Sequence, residues 1–373
     1  MNQITKVLEV CARLNVGGAQ LVGARISEYA PSEIKLDYLV FGDEIGEYEA
    51  AICARGHRVI HFPRITGNGT AFLRELRKLM RRERYDVVHC HTMYSCGLVM
   101  LAAKLEGIPG RLSHSHTTQT ETRLTIRRRV YIWAMKRLIH LCGNGFLACG
   151  VDAGNTLYGK RWFAKHGTVI PNGIDTALFQ YSEDARAAIR EEYGWKDSFI
   201  VGHVGHYINV KNQRYLIRLV PKLKRRLPNV KLVLFGDGSD RSSLEGEIRF
   251  ARLEDTVFLM GNSSEIPKVL SGFDVFAFPS LYEGTPLALI EAQANGLPCV
   301  ISDRIPPDAC ILDTVQRLPI ENAEAQWMDA ICRARRERPE EKAEIVRERY
   351  GGVQSSMEQL YQIFGQYCRE EMK

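Results

Sequence analysis

Short apolar runs alternate with longer amphipathic stretches along the whole chain. Stretches with helical periodicity lie between the runs, for example at 70–84 and 97–106. Alternation of strand and helix is typical of parallel sheets covered by helices on both faces, so the pattern predicts an α/β fold. The runs predict strands at the following positions: 6–12, 36–41, 58–62, 87–91, 110–114, 145–148, 168–170, 199–204, 231–235, 257–260, 275–278 and 298–301.

The strands fall into two runs, which predicts two doubly wound Rossmann-like domains. A chain of 373 residues also exceeds the size at which a single core stops growing. The turn-forming sequence Pro-Asn-Gly at 171–173 suggests where the first domain ends. We therefore predict a first domain at 1–178, a second at 179–352 and a helical tail at 353–373.

Composition narrows the class of protein. The chain is 45% hydrophobic and 25% charged, as in globular proteins, and no apolar run reaches the ~18 residues of a membrane span. Its N-terminus is interrupted by charges and does not resemble a signal peptide. The ten cysteines are scattered, which favours reduced thiols in the cytoplasm, and no ligand spacing for a metal is present.

Charge is divided unevenly between the two predicted domains. The net charge of +6 comprises +9 in residues 1–178 and −3 in residues 179–373. A basic first half suggests an acidic surface or an acidic substrate near it.

The segment at 278–291 carries the most specific chemistry. It leaves a strand, turns through Gly284 and predicts a helix that begins at Thr285 and the following proline. Thr is a good N-cap and Pro fits the first helical turn. Backbone N–H groups at a helix N-terminus bind anions such as phosphate. Glu283 and Glu291 flank that anion site with two carboxylates, so the segment suggests a sugar nucleotide as ligand.

Glycine-rich turns after other predicted strands offer further contacts. Gly17 and Gly18 let backbone N–H groups approach a phosphate closely, although they also suit a plain tight turn. They are not a Rossmann fingerprint, because a third glycine is missing at the required spacing. The sequence Gly-Asp-Gly at 236–238 favours a turn, and Gly261 with Asn262 suits either a nucleobase contact or a turn.

A cation stands near one of these turns. Lys211 and Asn212 follow the glycine-rich stretch that contains His206. A lysine beside such a turn is a compact charge suited to a diphosphate, and an ordinary surface lysine is the alternative.

Two pairs of histidines lie at predicted strand ends. His114 and His116 share one face of a strand at spacing i, i+2, and structural and functional roles are equally open for His114. His89 and His91, at the end of the preceding strand, favour structural roles.

The stretch at 123–137 carries six Lys or Arg residues and no acidic residue. The periodicity of Ile126, Val130, Ala134 and Leu138 predicts a buried stripe on a helix, with Trp133 outside it. A basic helix with an exposed Trp suits an anionic membrane surface, and a solvated basic face explains the pattern equally well.

Taken together, the motifs resemble those of the GT-B glycosyltransferases, and more narrowly the large retaining family that includes bacterial capsular, exopolysaccharide and lipopolysaccharide transferases. The family signature is Glu-x7-Glu, present here as Glu283 and Glu291, and the resemblance covers nearly the whole chain. Each motif alone is weak, but their order is specific. The supporting motifs are Asn15-Val-Gly-Gly-Ala-Gln, Asp86-Val-Val-His-Cys-His, Ser113-His-Ser-His-Thr, Pro171-Asn-Gly-Ile-Asp, Lys211-Asn, Phe235-Gly-Asp-Gly and Phe278-Pro-Ser.

The resemblance implies roles for the matching residues. Glu283 would bind hydroxyls of the donor sugar, Glu291 the ribose diol, and Lys211 the diphosphate. His116 would face the reacting sugar, which gives a catalytic set of His116, Glu283 and Lys211. The implied donor-binding set is Gly17, Gly18, His206, Lys211, Asn212, Gly261, Asn262, Glu283, Gly284, Thr285, Leu287, Ala288 and Glu291.

The resemblance also implies the architecture and the reaction. Two Rossmann-like domains would face each other across a cleft, and the last helix would cross back to the first domain. The reaction would be a metal-independent retaining transfer without a cofactor. A hexose or N-acetylhexosamine would move from a nucleotide sugar, with UDP as the expected carrier, to a saccharide or polyprenyl-diphosphate-linked saccharide. The expected location is cytoplasmic or peripheral on the inner membrane face.

One residue departs from the family pattern, and two other functions remain open. The family commonly has Arg where this chain has His206, and a neutral His supplies less positive charge at pH 7. A sugar-nucleotide epimerase can share the GT-B architecture, although the Glu-x7-Glu pair argues against it. A non-catalytic binding protein could use the basic helices, but they lack the interleaved aromatics of a nucleic-acid reader, so we expect no nucleic-acid partner.

Overall fold

The chain forms two compact units. The first comprises Met1–Gly173 together with Val353–Lys373, and the second comprises Ile174–Gly352. The boundary therefore follows Gly173, a few residues before the position suggested by the sequence, and Ile174 pairs with Gly352 in an isolated parallel bridge. The computed structural model describes residues 4–14, 18–63, 69–116, 124–284, 286–335, 339–350 and 352–367.

The first unit is built on a parallel sheet of seven strands in the order β3-β2-β1-β4-β5-β6-β7. Its strands are β1 (Thr5–Cys11), β2 (Ile34–Phe41), β3 (Arg58–Phe62), β4 (Val87–Cys90), β5 (Gly110–Ser115), β6 (Gly145–Ala148) and β7 (Gly167–Val169). Its helices are α1 (Gly18–Glu28), α2 (Glu49–Ala54), α3 (Gly69–Glu83), α4 (Cys96–Leu105), α5 (Ile126–Cys142), α6 (Val151–Tyr158) and α7 (Lys160–His166).

The second unit contains a parallel sheet of six strands in the order β10-β9-β8-β11-β12-β13. Its strands are β8 (Phe199–Val204), β9 (Val230–Phe235), β10 (Val257–Gly261), β11 (Val275–Phe278), β12 (Cys299–Ser302) and β13 (Val315–Leu318). Its helices are α8 (Glu183–Glu192), α9 (Gln213–Arg226), α10 (Arg241–Phe250), α11 (Ile266–Gly272), α12 (Leu287–Ala294), α13 (Glu324–Arg333) and α14 (Pro339–Tyr350).

The last helix completes the core of the first unit. Helix α15 (Val353–Gly365) places Met357, Leu360 and Phe364 in the same buried cluster as Val7 of β1. The expected return of the C-terminal segment to the first domain therefore has a physical cause. The apolar face of α15 covers one face of the seven-stranded sheet.

The twelve expected strands are present, with ends shifted by two residues at most, and both sheets are parallel, as two Rossmann-like domains require. The edge strand β13 was not predicted. Its sequence Val-Gln-Arg-Leu is half-buried and short, so it lacks the continuous apolar run that marks a central strand. Within the described residues, no helix is both long enough and apolar enough to cross a membrane.

The predicted buried stripe of the basic helix is wrong at its first two positions, Ile126 and Val130, while Ala134 and Leu138 are partly buried against the core. Helix α5 buries Met135, Ile139 and Cys142, whereas Ile126 and Val130 are 80% and 58% exposed. The chain supplies apolar residues on two sides of this helix, and packing against α4 selects one of them. Periodicity alone does not identify which side faces the core.

Candidate functional site

The predicted donor site lies at the carboxyl ends of β8 and β11. The two strands are neighbours at the centre of the sheet, and successive connections run from them in opposite directions, to β9 on one side and β12 on the other. Such a topological switch point leaves a crevice outside the strand ends, where ligands of open α/β sheets bind. Lys211 follows β8 and Glu283 follows β11, so the topology brings these two predicted residues together.

An ion pair joins the two residues. Lys211 Nζ lies 2.6 Å from Glu283 Oε1, and the side chains are only 19% and 9% exposed. The same ammonium lies 5.0 Å from the ring centre of Phe278, which places it over an aromatic face. The pair holds a cation, which can bind phosphate, and a carboxylate, which can accept hydrogen bonds from hydroxyl groups, side by side.

Backbone contacts fix the two loops that carry this pair. Leu281 donates its N–H to the carbonyl of Val210 at 2.8 Å, and Asn212 Nδ2 donates to the carbonyl of Pro279 at 3.2 Å. Asn212 has φ 53° and ψ 38°, a left-handed conformation that Asn tolerates better than most residues. The predicted Asn212 therefore positions the Lys211 loop against the loop that leads to Glu283.

A buried histidine below the pair was missed at the sequence level. His203 Nδ1 lies 3.0 Å from the carbonyl of Ala277, and Gln213 Nε2 lies 3.3 Å from His203 Nε2. The carbonyl must accept and the amide must donate, which defines a neutral tautomer. Burial lowers the pKa of His203 to about 4, so the ring stays neutral at pH 7. The sequence did contain a signal for this residue, because it is a histidine inside an otherwise apolar predicted strand.

His206 is exposed beside this arrangement. Its Nδ1 lies 3.3 Å from the carbonyl of Asp237, and its own carbonyl accepts from Gln213 Nε2 at 2.8 Å. The backbone of this loop is thus fixed, while the ring stands at the position where the family commonly has Arg.

The sequence 236–238, for which a turn was expected, forms the loop that follows β9, and the turn itself comes after it at 239–240. A Cβ on Gly236 would lie 2.1 Å from the carbonyl oxygen of Gly205, so the loops after β8 and β9 touch through their backbones. Gly236 donates its N–H to Gly261, which has φ +80°, and Asn262 beyond it is exposed. Gly261 therefore ends β10 in a backbone conformation that favours glycine, and the base contact suggested for Gly261 and Asn262 stays a prediction.

The predicted helix start after Glu283 needs a correction. Helix α12 begins at Leu287, and Pro286 lies outside it at the N-cap, where its carbonyl accepts from the N–H groups of Leu289 and Ile290. The N–H groups of Leu287 and Ala288 then have no acceptor within the helix. These are the two amides expected to meet phosphate. Gly284 is half-buried, and Thr285 lies outside the described residues.

Glu291 is half-buried on α12, and the other predicted residues belong to the first unit. Gly18 is the first residue of α1 and His116 directly follows β5, while Gly17 lies outside the described residues. Strands β1, β4 and β5 are adjacent, and the switch point of this sheet lies between β1 and β4. Both residues thus follow strands at the carboxyl edge where ligands bind.

Four histidines and one glutamate form a buried cluster at this edge, which we call the histidine cluster: Glu9, His89, His91, His114 and His116. Glu9 accepts hydrogen bonds from His89 Nδ1 at 3.1 Å and from His91 Nε2 at 2.9 Å. His89 Nε2 lies 3.1 Å from His114 Nδ1, and His91 Nδ1 lies 2.7 Å from His116 Nε2. The sequence indicated two separate pairs of histidines, and the parallel register of β4 and β5 joins them into one network.

The charges in this cluster are set by burial and by the neighbouring rings. Burial alone would raise the pKa of Glu9, but the charge and hydrogen bonds of His89, followed by those of His91, lower it to about 2. Burial, together with the neighbouring imidazoles, lowers the pKa of His114 and of His116 well below the usual range. The carboxylate is therefore ionised at pH 7 while these two rings are neutral.

Two family descriptions match almost the whole chain in succession. Residues 16–178 match Glycosyltransferase Family 4, and residues 185–348 match Glycosyl transferases group 1. These matches divide the chain close to the boundary between its two units.

Bacterial proteins are similar over much of the chain. EpsF of Bacillus subtilis (strain 168), which is named as a glycosyltransferase, is 35% identical over 335 residues, covering 88% of this chain and 87% of EpsF. An Escherichia coli protein named UDP-Gal:alpha-D-GlcNAc-diphosphoundecaprenol alpha-1,3-galactosyltransferase is 31% identical over 235 residues, covering 61% of this chain and 60% of that protein.

Solved structures share the fold at low sequence identity. Anabaena Alr3699/HepE in complex with UDP superimposes with a TM-score of 0.77 at 18% identity, covering 98% of this chain and 100% of that one. The apo form of the lipopolysaccharide outer core galactosyltransferase WaaB gives a TM-score of 0.67 at 14% identity, with coverage of 98% and 100%. At this level of identity the likeness concerns the fold.

Proposed function

Because this chain belongs to the group 1 family of glycosyltransferases, we propose that it moves a hexose or N-acetylhexosamine from a UDP-sugar to a saccharide acceptor in bacterial surface polysaccharide synthesis, with retention of the anomeric configuration. The acceptor is either a free or a lipid-linked saccharide. The donor site is the one at the ends of β8 and β11, and the reaction needs no metal at the diphosphate.

The Lys211–Glu283 ion pair carries this proposal. Its two charges lie 2.6 Å apart at the switch point of the second sheet, beside the N-terminus of α12. A nucleotide sugar requires a positive field for the diphosphate and an acceptor of hydroxyl hydrogen bonds for the sugar. Lys211 with the amides of Leu287 and Ala288 supplies the first, and Glu283 supplies the second. We assign Glu291, half-buried on α12, to the ribose diol.

The proposed reaction uses charge stabilisation in place of a protein nucleophile. The glycosidic C–O bond to the diphosphate breaks, and the acceptor oxygen attacks the anomeric carbon from the same face. The acceptor proton passes to a phosphate oxygen of the departing UDP. Lys211 and the helix amides stabilise the negative charge that develops there, a contribution of a few kcal/mol in comparable enzyme sites.

The proposed donor and acceptor rest on the names of related proteins. The Anabaena structures are described as complexes with UDP and with UDP-glucose. The E. coli relative is named for a UDP-galactose donor and a diphosphoundecaprenol-linked acceptor. A lipid-linked diphosphate saccharide as acceptor would also agree with the net charge of +9 in residues 1–178.

We extend the proposal to peripheral binding at an anionic membrane surface. Four large apolar side chains lie on one exposed side of α5, and Arg137 lies among them at helical spacing. The described helix contains no acidic residue, so anionic headgroups would meet positive charge beside the inserted apolar groups. The four are Ile126 (80% exposed), Val130 (58%), Trp133 (63%) and Leu141 (67%).

A donor screen with product analysis tests the proposed reaction. Wild-type protein is incubated with a panel of UDP-sugars with and without a lipid-linked saccharide, and the anomeric configuration of the product is read by NMR. We expect transfer with retention that persists when a chelator is added to the assay. Sugar interconversion without an acceptor would indicate an epimerase instead, and an inverted product would refute the retaining mechanism.

The variant Glu283→Gln assigns the reaction to the proposed site. We expect it to lose transfer, because the amide keeps the size of the side chain but removes the carboxylate that would accept hydrogen bonds from the donor-sugar hydroxyls. Glu324→Gln is the matched control, since Glu324 forms an exposed ion pair with Lys222 in the same unit. Near wild-type transfer by Glu283→Gln would show that the site is misassigned.

A further inference from the structure

We propose that the histidine cluster of the first unit binds a divalent transition-metal ion of the zinc class, with His89, His91 and His114 as ligands and Glu9 holding two of these rings from behind. This inference concerns a different unit from the donor site and does not depend on the proposed transfer reaction. One nitrogen from each of the three rings lies within 4.8 Å of the others.

The carboxylate of Glu9 determines which nitrogens face inward. It accepts from His89 Nδ1 and from His91 Nε2, so these atoms carry the ring protons in the neutral form that a metal ligand requires. The opposite atoms, His89 Nε2 and His91 Nδ1, then present lone pairs. A carboxylate that orients the outer nitrogen of a metal-binding histidine is the usual surrounding of such ligands in metalloproteins.

The second strand presents its own imidazole nitrogens to these lone pairs. His114 Nδ1 is 3.1 Å from His89 Nε2, and His116 Nε2 is 2.7 Å from His91 Nδ1. Ligand nitrogens around a tetrahedral zinc ion are separated by roughly 3.4 Å, given Zn–N bonds of about 2.0–2.1 Å. Small rotations of the rings would convert these contacts into a coordination sphere, with His116 available for the fourth position.

Counting hydrogen-bond donors and acceptors favours a metal over protons alone. If His114 and His116 donate to the neighbouring rings, His114 Nε2, His116 Nδ1 and the Asn172 Oδ1 atom are all left buried without a partner. Coordination through His116 Nε2 moves the ring proton to Nδ1, which becomes a donor. Asn172, whose side chain lies within interaction range of the His116 ring and whose Oδ1 is otherwise without a partner, then offers the acceptor. His114 keeps one unpartnered nitrogen in both arrangements.

Charge supplies an independent argument. Glu9 is completely buried, and in the described part of the chain the hydrogen-bond partners of its carboxylate are the two rings, without any Lys or Arg. A buried carboxylate requires a nearby positive charge. A metal dication provides that charge, and four imidazole nitrogens are a ligand set that suits zinc.

The site would join three neighbouring strands where no local motif reveals it. Its ligands come in two His-x-His pairs, at 89–91 and 114–116, at the carboxyl ends of strands β4 and β5, and Glu9 comes from β1. This explains why ligand spacing along the sequence gave no sign of a metal. The ion would cross-link β4 to β5 at the edge next to the switch point.

Metal content of the full-length protein tests the proposal. Untagged protein is produced in zinc-supplemented medium, and metals are measured by inductively coupled plasma mass spectrometry. We expect roughly one ion per chain in the wild type and its loss in His89→Gln and His114→Gln. His140→Gln is the matched control, because His140 is also half-buried but stacks on Trp162 outside the cluster. The site would be contradicted if both ligand variants kept as much metal as the His140→Gln control. It would also be contradicted if all three variants lost their metal.

Two further measurements keep the test valid if the ligand variants do not fold. Wild-type protein refolded with Co²⁺ after unfolding in chelator should show the visible absorption bands of tetrahedral cobalt. Glu9→Gln keeps every ligand and should weaken metal affinity by about 10–100-fold. A wild-type protein without bound metal and without the cobalt absorption bands would overturn the proposal. The positive charge near Glu9 would then be a proton on one of the imidazole rings of the histidine cluster.

Discussion

Lys211 Nζ lies 2.6 Å from Glu283 Oε1, although 72 positions separate the two residues in the chain. Each lies in the loop that follows one of two adjacent parallel strands. A backbone hydrogen bond from the N–H of Leu281 to the carbonyl of Val210 joins the two loops. An ammonium and a carboxylate that partly neutralise one another can stay close together in a largely buried place before a ligand arrives. A diphosphate would then compete with Glu283 for Lys211.

The variant Lys211→Met should lose transfer and some stability. Removal of one group that stabilises developing negative charge typically lowers kcat by about 10²–10³. Methionine keeps most of the side-chain volume over Phe278, but it removes the cation beside the largely buried Glu283, so we expect the melting temperature to fall. Steady-state kinetics are compared with Lys222→Met, which breaks an exposed ion pair in the same unit. Equal activity of the two variants would contradict the role of Lys211.

The variant His206→Arg should bind UDP more tightly than the wild type. The ring of His206 is exposed beside the donor site, and an arginine there adds a permanent charge that can pair with phosphate. Isothermal titration calorimetry of the variant and the wild type with UDP at pH 7.5 measures the change. Unchanged affinity for UDP in His206→Arg would show that this position does not reach the diphosphate.

The buried ring of His203 should make folding stability depend on pH. Its pKa in the folded protein is about 4, below the value of 6.5 for the free side chain. The unfolded chain therefore takes up a proton between pH 6.5 and 4 while the folded protein does not. The resulting contribution to stability is full above pH 6.5, falls as the pH drops towards 4, and amounts to roughly 3 kcal/mol.

Urea unfolding of His203→Asn at several pH values checks this expectation. The variant should be less stable than the wild type at pH 7, and the difference should shrink towards pH 4. Other buried histidines contribute equally in both proteins. Only the difference in unfolding free energy between wild type and variant is therefore informative. Parallel curves for wild type and variant across this range would refute the assignment.

The variant Asn295→Ala should destabilise the second unit. Asn295 is completely buried, and its Nδ2 donates to the carbonyl of Phe179 at 2.9 Å and to Ser271 Oγ at 3.2 Å. Truncation leaves these acceptors buried without their donor, which costs about 1–3 kcal/mol. Asn229→Ala is the control, because the exposed Asn229 makes one long bond to Asp197. A loss no larger than that of the control would argue against this role for Asn295.

Membrane binding by α5 should require its exposed aromatic side chain. We expect Trp133→Ser to reduce flotation with vesicles that contain anionic phosphatidylglycerol, because the ring then no longer enters the interface. Phe250→Ser is matched to it, since Phe250 is 94% exposed in the second unit. Equal binding to neutral and anionic vesicles would remove the electrostatic part of the proposal.

Several features of the fold and the site follow from local sequence patterns. The strands from β8 to β12 were expected because apolar runs of four to six residues separate polar helices. Lys211 and Glu283 were expected because their types and their positions after strands match the chemistry of a phosphate and a sugar. The prediction for the buried face of α5 was wrong at Ile126 and Val130, since both of its sides carry apolar residues and packing chose between them.

The sequence by itself determined the order of strands and helices, the parallel α/β class and the residue types at the strand ends. These follow from local periodicity and turn chemistry, which act over a few residues. Tertiary structure decided which distant groups meet. It paired Lys211 with Glu283, placed His203 under them, and joined Glu9 to four histidines from two other strands. Such contacts depend on strand order and register, because parallel strands align the ends of segments that lie far apart in the chain.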